Sequence, residues 1–182
     1  MTQSLEPTQS VNSPQTLVDG WSQFIEKFSP YELYVTLTFE TSIHPEQADR
    51  RYKRFIRKIN ESLYGRRYRE QGKGIYWVRA LEYQRRDVIH FHALLGGGVY
   101  KLSRIALTDM WKSEKGNGHT WIEKFNPLKG ATRYLSKYVS KSKAGEVDLF
   151  IPYTLKRHFG IEEDVNNTFD FQVSNEAIPY NS

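Results

Sequence analysis

With 182 residues, no cysteine and a formal net charge of +5, the chain has the length for one domain with a core and no room beside it for a helicase domain, and it forms neither a disulfide nor a thiolate metal site. The opening MTQSLEPTQSVNSPQTLVDG lacks the basic and apolar parts of a signal peptide, and no apolar run approaches the roughly 20 residues that span a bilayer, so a soluble, cytoplasmic protein with no membrane partner is expected. Charge is unevenly placed: all 26 Lys and Arg precede residue 161, against 16 acids there, while residues 161–182 carry five acids and no base, so a basic body suited to a polyanion precedes an acidic tail.

Residues 1–20 are rich in Ser, Thr, Gln and Pro and lack periodicity, which predicts a flexible N-terminal arm. Trp21, Phe24, Ile25 and Phe28 recur at helical spacing and predict a short helix over about 21–28. In ELYVTLTFE (32–40), Val35, Leu37 and Phe39 alternate against Tyr34, Thr36 and Thr38, the pattern of a strand. From about His44 to Tyr64, Ala48, Tyr52, Phe55, Ile56, Ile59 and Leu63 return at helical spacing, with Pro45 suited to the first turn. The other face of that helix carries Arg50, Arg51, Lys53, Arg54, Arg57 and Lys58. A basic loop, GRRYREQGKG, leads to the strand IYWVRALEY (75–83), and QRRD turns the chain into a strand at 88–95. GGG at 96–98 lets the chain leave the sheet. A helix over about 103–114 begun by Ser103, a strand at about 119–125 and a helix from Pro127 to about Ser142 follow. Residues 145–182 are weakly patterned and are expected to add short strands or wrap the body.

The string β-α-β-β-α-β plus a helix predicts an α+β fold: a ferredoxin-like or RRM-like antiparallel sheet with helices on one face, and a further helix bearing tyrosines. The predicted division is an arm at 1–20, one domain at 21–160 and an acidic tail at 161–182. That sheet is also an RNA-recognition scaffold, so function must come from what it displays.

VIHFHALLGG (88–97) sets two histidines in an apolar run. Side chains alternate along a strand, so His90 and His92 share one face while Ile89, Phe91 and Ala93 occupy the other. If QRRD is the hairpin connection, pairing centres near residue 86 and Glu82 comes opposite His90. Two imidazoles and a carboxylate then form a candidate site for a divalent ion, Mg²⁺ or Mn²⁺, with the imidazoles favouring Mn²⁺ or another transition metal. The alternative is a pair of hydrogen-bonded or exposed histidines, with Glu82 paired to an arginine.

In ATRYLSKYVSK (131–141), Tyr134 and Tyr138 stand one helical turn apart, with Lys137 and Lys141 beside them. Leu128, Ala131, Leu135 and Val139 form an adjacent stripe expected to face the core. A phenol is a poor nucleophile while protonated, its unperturbed pKa being about 10. Neighbouring ammonium groups and a metal-bound phosphate make attack on a phosphodiester feasible. Ordinary helix packing is the competing reading of a tyrosine pair at this spacing.

His90-Phe91-His92, the strand YVTLTFE and the spacing of YLSKYVSK together resemble the HUH endonuclease superfamily, and within it the two-tyrosine rolling-circle replication initiators of the phage gene A type. The resemblance covers about residues 32–142. It implies a metal-dependent nickase and ligase of single-stranded DNA at a replication origin, in which a tyrosine forms a 5′-phosphotyrosine link and the freed 3′-OH primes synthesis. His90 and His92 would be ligands, with Glu82 the third. Tyr134 and Tyr138 would be nucleophiles, and Lys137 and Lys141 would hold phosphate or stabilise the phenolate. Strand separation would fall to a host or separately encoded helicase.

Arg50, Arg54, Arg57, Arg66, Arg67, Arg69 and Lys73 are candidates for phosphate contacts, with Tyr68 available to stack on a base. His119 is a candidate further ligand or substrate contact, although a structural role suits it better. Two rival functions remain: a single-strand transposase or conjugative relaxase using the same chemistry, and a non-catalytic RRM-like nucleic-acid-binding module.

Overall fold

In the computed structural model, which describes residues 14–84, 87–130, 135, 147–156, 158–160 and 171–173, a six-stranded sheet runs in the order β4-β1-β3-β2-β5-β6. Its strands are β1 (Leu33–Phe39), β2 (Tyr76–Tyr83), β3 (Ile89–Gly96), β4 (Asn117–Lys124), β5 (Val147–Phe150) and β6 (Phe171–Val173). The helices are α1 (Pro14–Glu26), α2 (Pro45–Tyr64), α3 (Arg104–Lys112) and a single turn, α4 (Tyr153–Lys156). Every strand pairing is antiparallel. The first four strands with α2 and α3 form the expected ferredoxin-like β-α-β-β-α-β unit, and β5 and β6 widen the sheet beyond β2.

Alternation in LYVTLTF sorts the two faces of the sheet. Leu33, Val35, Leu37 and Phe39 are buried, while Tyr34, Thr36 and Thr38 are only partly covered. The buried set joins Trp77, Leu81 and Phe91 beneath Tyr52, Phe55 and Ile59 of α2 and Trp111 of α3. Pro45 occupies the first turn of α2, as expected, and Ser103 caps α3 by accepting a bond from the Ala106 amide at 3.1 Å. The opposite face packs Tyr76, Val78, Ala80, Leu94 and Val147 against Ile25, Phe28, Tyr31 and Leu135. Helices α2 and α3 thus cover one face, while α1 covers part of the other.

Arg79 lies inside the first of these cores, 4% exposed. Its guanidinium sits 4.5 Å from the Tyr52 ring centre and 4.6 Å from that of Phe91, and it donates to Asp49 at 2.8 Å and to Asp148 of β5. A buried cation is tolerable because both carboxylates offset its desolvation.

Three local expectations are corrected. Helix α1 begins at Pro14, so residues 14–20 of the expected arm are helical. The chain after Asn126 forms a 3₁₀ turn, Pro127–Lys129, ended by Gly130 with a left-handed φ of 64°, not the start of a long helix. Leu128 is accordingly 95% exposed rather than part of a core-facing stripe. Leu135 is helical and buried, as that stripe predicted; Ala131 and Val139 lie outside the described residues.

Candidate active site

Strands β2 and β3 pair with Glu82 opposite His90 and Ala80 opposite His92, the register expected from a QRRD connection. The hairpin is closed by the Gln84 amide donating to the Val88 carbonyl at 2.9 Å, and Asp87 takes a positive φ of 55°. The carboxylate does not contact the histidine it faces. Glu82 Oε2 lies 3.1 Å from Nε2 of His92, the diagonal neighbour.

Strand β1 supplies what holds His92. Tyr34 Oη and Thr36 Oγ1 meet His92 Nδ1 at 2.9 and 3.1 Å, and the Tyr34 ring stacks on the imidazole at 19° with centres 6.3 Å apart. Both hydroxyls can accept a proton from Nδ1, which leaves Nε2 as the ring atom facing Glu82. His92 is 5% exposed, whereas His90 is partly exposed. Burial lowers the pKa of His92, opposed by its bond to Glu82 and by that carboxylate's charge and reinforced by His90; burial likewise lowers His90 against the pull of Glu82. Both rings are therefore neutral at neutral pH, the state in which imidazole can ligate a metal.

The donor set fits a divalent cation: two neutral imidazoles, a carboxylate, and a hydroxyl pair fixing one ring in the manner of outer-shell partners. Among the described residues no group of three His, Asp or Glu side chains is drawn together as a ready-made ligand cage. The Glu82–His92 pair is in contact, and His90 shares its face on the same strand. His119 is exposed, with its backbone carbonyl accepting from Thr38 Oγ1 at 3.2 Å.

The expected nucleophile segment falls elsewhere. Tyr134, Lys137, Tyr138 and Lys141 lie outside the described residues. Leu135 is packed in the cluster containing Ala80, the cross-strand partner of His92, on the face that carries the His/Glu patch.

The expected phosphate-binding residues are on the other side of the sheet or away from it. Arg50, Arg54 and Arg57 project from the outer face of α2, beyond the core that separates them from the patch. Arg54 pairs with Glu114 at 2.8 Å and Arg57 with Glu61 at 3.7 Å. Arg66 and Lys73 are exposed, and Arg67 pairs with Glu70 at 2.6 Å. Tyr68 is corrected: it is 7% exposed, its hydroxyl accepting from Arg69 Nε at 3.0 Å, so its ring is not open to stack on a base. Arg57, Tyr68 and Lys73 line one pocket of about 410 Å³ with Trp77, Phe150 and Tyr153.

Sequence reasoning missed Tyr34, Thr36 and Arg79 as functional or structural polar residues. The alternation of β1 puts Tyr34 and Thr36 off the core face, but their meeting with His92 depends on a β1–β3 pairing across α2 and β2. Among the described residues no helix is long and apolar enough to cross a membrane.

Residues 32–143 match the family model described as Replication-associated protein ORF2. The match spans β1 through β4, the His/Glu patch and the stretch of sequence that contains both tyrosines. No curated protein and no solved structure matches the chain.

Proposed function

The chain belongs to the replication-associated protein ORF2 family, and on that footing we propose that it is an HUH-type nickase that opens a single-stranded origin to start rolling-circle replication. Membership supports the coarser statement, a DNA-binding replication initiator. The observation that carries the finer one is the patch on β2 and β3: Glu82 bonded to His92, with His90 beside them and His92 held from behind by Tyr34 and Thr36.

His90, His92 and Glu82 would hold Mg²⁺ or Mn²⁺, which supplies Lewis-acid polarisation of a phosphoryl oxygen. Tyr34 and Thr36 keep the His92 ring turned so that Nε2 faces the carboxylate. Tyr134 or Tyr138 attacks the phosphorus: a tyrosyl O–P bond forms, the P–O3′ bond breaks, the phenol proton is lost and the departing oxygen is protonated as a free 3′-OH. The bond energy stays in the phosphotyrosine, so a 3′-OH attacking it later reseals the strand without ATP. Lys137 and Lys141 would lower the cost of the phenolate. What supports these tyrosines is Leu135, buried on the patch-bearing face and bonded directly to residue 134, since neighbouring Cα atoms are about 3.8 Å apart. The same chemistry serves transposition and conjugation; the family match favours replication.

The test uses the full chain and end-labelled oligonucleotides tiled across the origin of its own replicon. Cleavage only with Mg²⁺ or Mn²⁺, with protein attached to the 5′ end of one product, is expected, and Tyr134→Phe with Tyr138→Phe should abolish the adduct. Binding without cleavage under both metals sinks the nickase reading in favour of a non-catalytic module. An adduct that survives in the double variant sinks the tyrosine assignment.

A further inference from the structure

Four tryptophans occur in the chain, and they are not equivalent. Trp77 is 4% exposed and Trp111 is fully buried, whereas Trp121 is 66% exposed. Trp121 lies opposite Thr36 in the β1–β4 pairing, and Thr36 lies opposite His92 in the β1–β3 pairing. Cross-strand partners share a face, so Trp121, Thr36 and His92 form a row across three strands on the side that bears Glu82. Neighbouring strands are about 4.8 Å apart, which sets the backbones of Trp121 and His92 about 10 Å from each other.

The strand that carries this indole is firmly seated. At Gly118 an added Cβ would meet Thr38 Oγ1 at 2.6 Å and the Phe39 carbonyl carbon at 3.1 Å, so β4 approaches β1 more closely than another residue allows. The pairing shifts register between Leu37 and Phe39. On the reverse face Thr120 shares a 2.8 Å hydroxyl bond with Thr108 of α3. Trp121 is thus a rigid aromatic plane presented on the site's own face of the sheet, at the strand that ends the sheet on that side.

We infer that Trp121 is a stacking platform for an unpaired base of the DNA strand, a few nucleotides from the phosphate engaged at the His90/His92/Glu82 patch. The inference rests on the nickase reading for its substrate, a single strand crossing this face of a basic domain. A π-face is common to every base, so the subsite selects a position along the strand rather than a base identity. Its distance from the patch makes it a positioning residue, not a catalytic one.

The experiment places a single abasic nucleotide at successive positions of the cleavable origin oligonucleotide and measures binding to the full chain and to Trp121→Ala. Stacking on one aromatic side chain corresponds to an affinity change of about 5- to 150-fold. One abasic position should weaken wild-type binding by an amount in that range and have no further effect on Trp121→Ala. Trp121→Phe should recover part of the affinity, and the fluorescence quenching caused by DNA in the wild type should largely disappear in it. Adduct formation at saturating DNA should be unchanged in both variants, as circular dichroism and melting should be. Equal losses at every abasic position, or no loss on Trp121→Ala, overturn the inference. So does concentration-dependent dimerisation that Trp121→Ala abolishes while DNA binding is intact, which would assign the face to a second copy of the chain. Failure of the nickase reading appears separately, as a wild type that binds the strand without forming an adduct.

Discussion

Replacing Tyr34 by Phe and Thr36 by Val together tests whether the strand behind the patch sets its chemistry. The pair of changes removes both hydroxyls that meet His92 Nδ1, at 2.9 and 3.1 Å, while the aromatic ring that stacks on the imidazole stays in place. Two neutral hydrogen bonds at about 0.5–1.5 kcal/mol each come to roughly 1–3 kcal/mol. Loss of an outer-shell partner of a metal-bound histidine costs about 10- to 100-fold in affinity, or roughly 1.4–2.8 kcal/mol, which agrees. Without those hydroxyls, Nδ1 loses the partners that bias the ring's tautomer, and Nε2 is no longer held toward Glu82. Mn²⁺ binding measured by calorimetry should weaken by about one to two decades in the double variant, with each single change contributing roughly half of the free energy. Thermal denaturation checks that the fold survives. An unchanged Mn²⁺ affinity in the double variant, alongside a lost affinity in His92→Ala, would refute the orienting role.

Glu82→Gln keeps an acceptor beside His92 but removes the charge, so Mn²⁺ affinity should fall by about tenfold or more with little change in melting temperature; equal binding by both forms would remove Glu82 from the ligand set. Asp148→Ala leaves the buried Arg79 with Asp49 alone and should cost about 3–5 kcal/mol in urea denaturation, while a loss under about 1 kcal/mol would mean that Arg79 gains little from Asp148. Glu114 receives Arg54 and Lys58 at 2.8 and 3.3 Å; partial burial works to raise its pKa, and the bonds and charges of Lys58 and Arg54 outweigh it and hold the carboxyl below its ordinary range. A lowered folded value means the stabilisation is full above the ordinary carboxylate range and is lost as pH falls through the lowered value. Glu114→Gln should therefore be less stable than wild type by under about 1 kcal/mol near neutrality and no different in strong acid; a gap that persists in acid would contradict the ion-pair account.

The parts of this site that could be read from sequence are those fixed by short-range geometry. A four-residue connection determines which residues face each other across a hairpin, so the meeting of Glu82 with the two histidines follows from counting outward from QRRD. The diagonal choice of His92 over His90 does not, because it depends on where the rings are pushed from behind. Tyr34 and Thr36 do that pushing, and β1 reaches β3 only after α2 and β2 have intervened, a pairing that no local pattern encodes. Arg79 misleads for the opposite reason. An arginine inside YWVRALEY reads as a solvent-facing residue, yet it lies on the same face as Trp77 and Leu81, and two distant carboxylates make its burial possible. The basic residues of α2 show the limit of charge as a guide: Arg54 and Arg57 are engaged by acids on the face turned away from the patch, so a cluster of positive charge does not itself say which side of a sheet a polyanion crosses. On the patch-bearing face, residues 82, 90 and 92 supply polar donors and residue 121 an aromatic plane, so recognition there depends on shape and ligation more than on charge density. A strand held this way should retain part of its affinity in high salt, in contrast to one held by phosphate contacts alone.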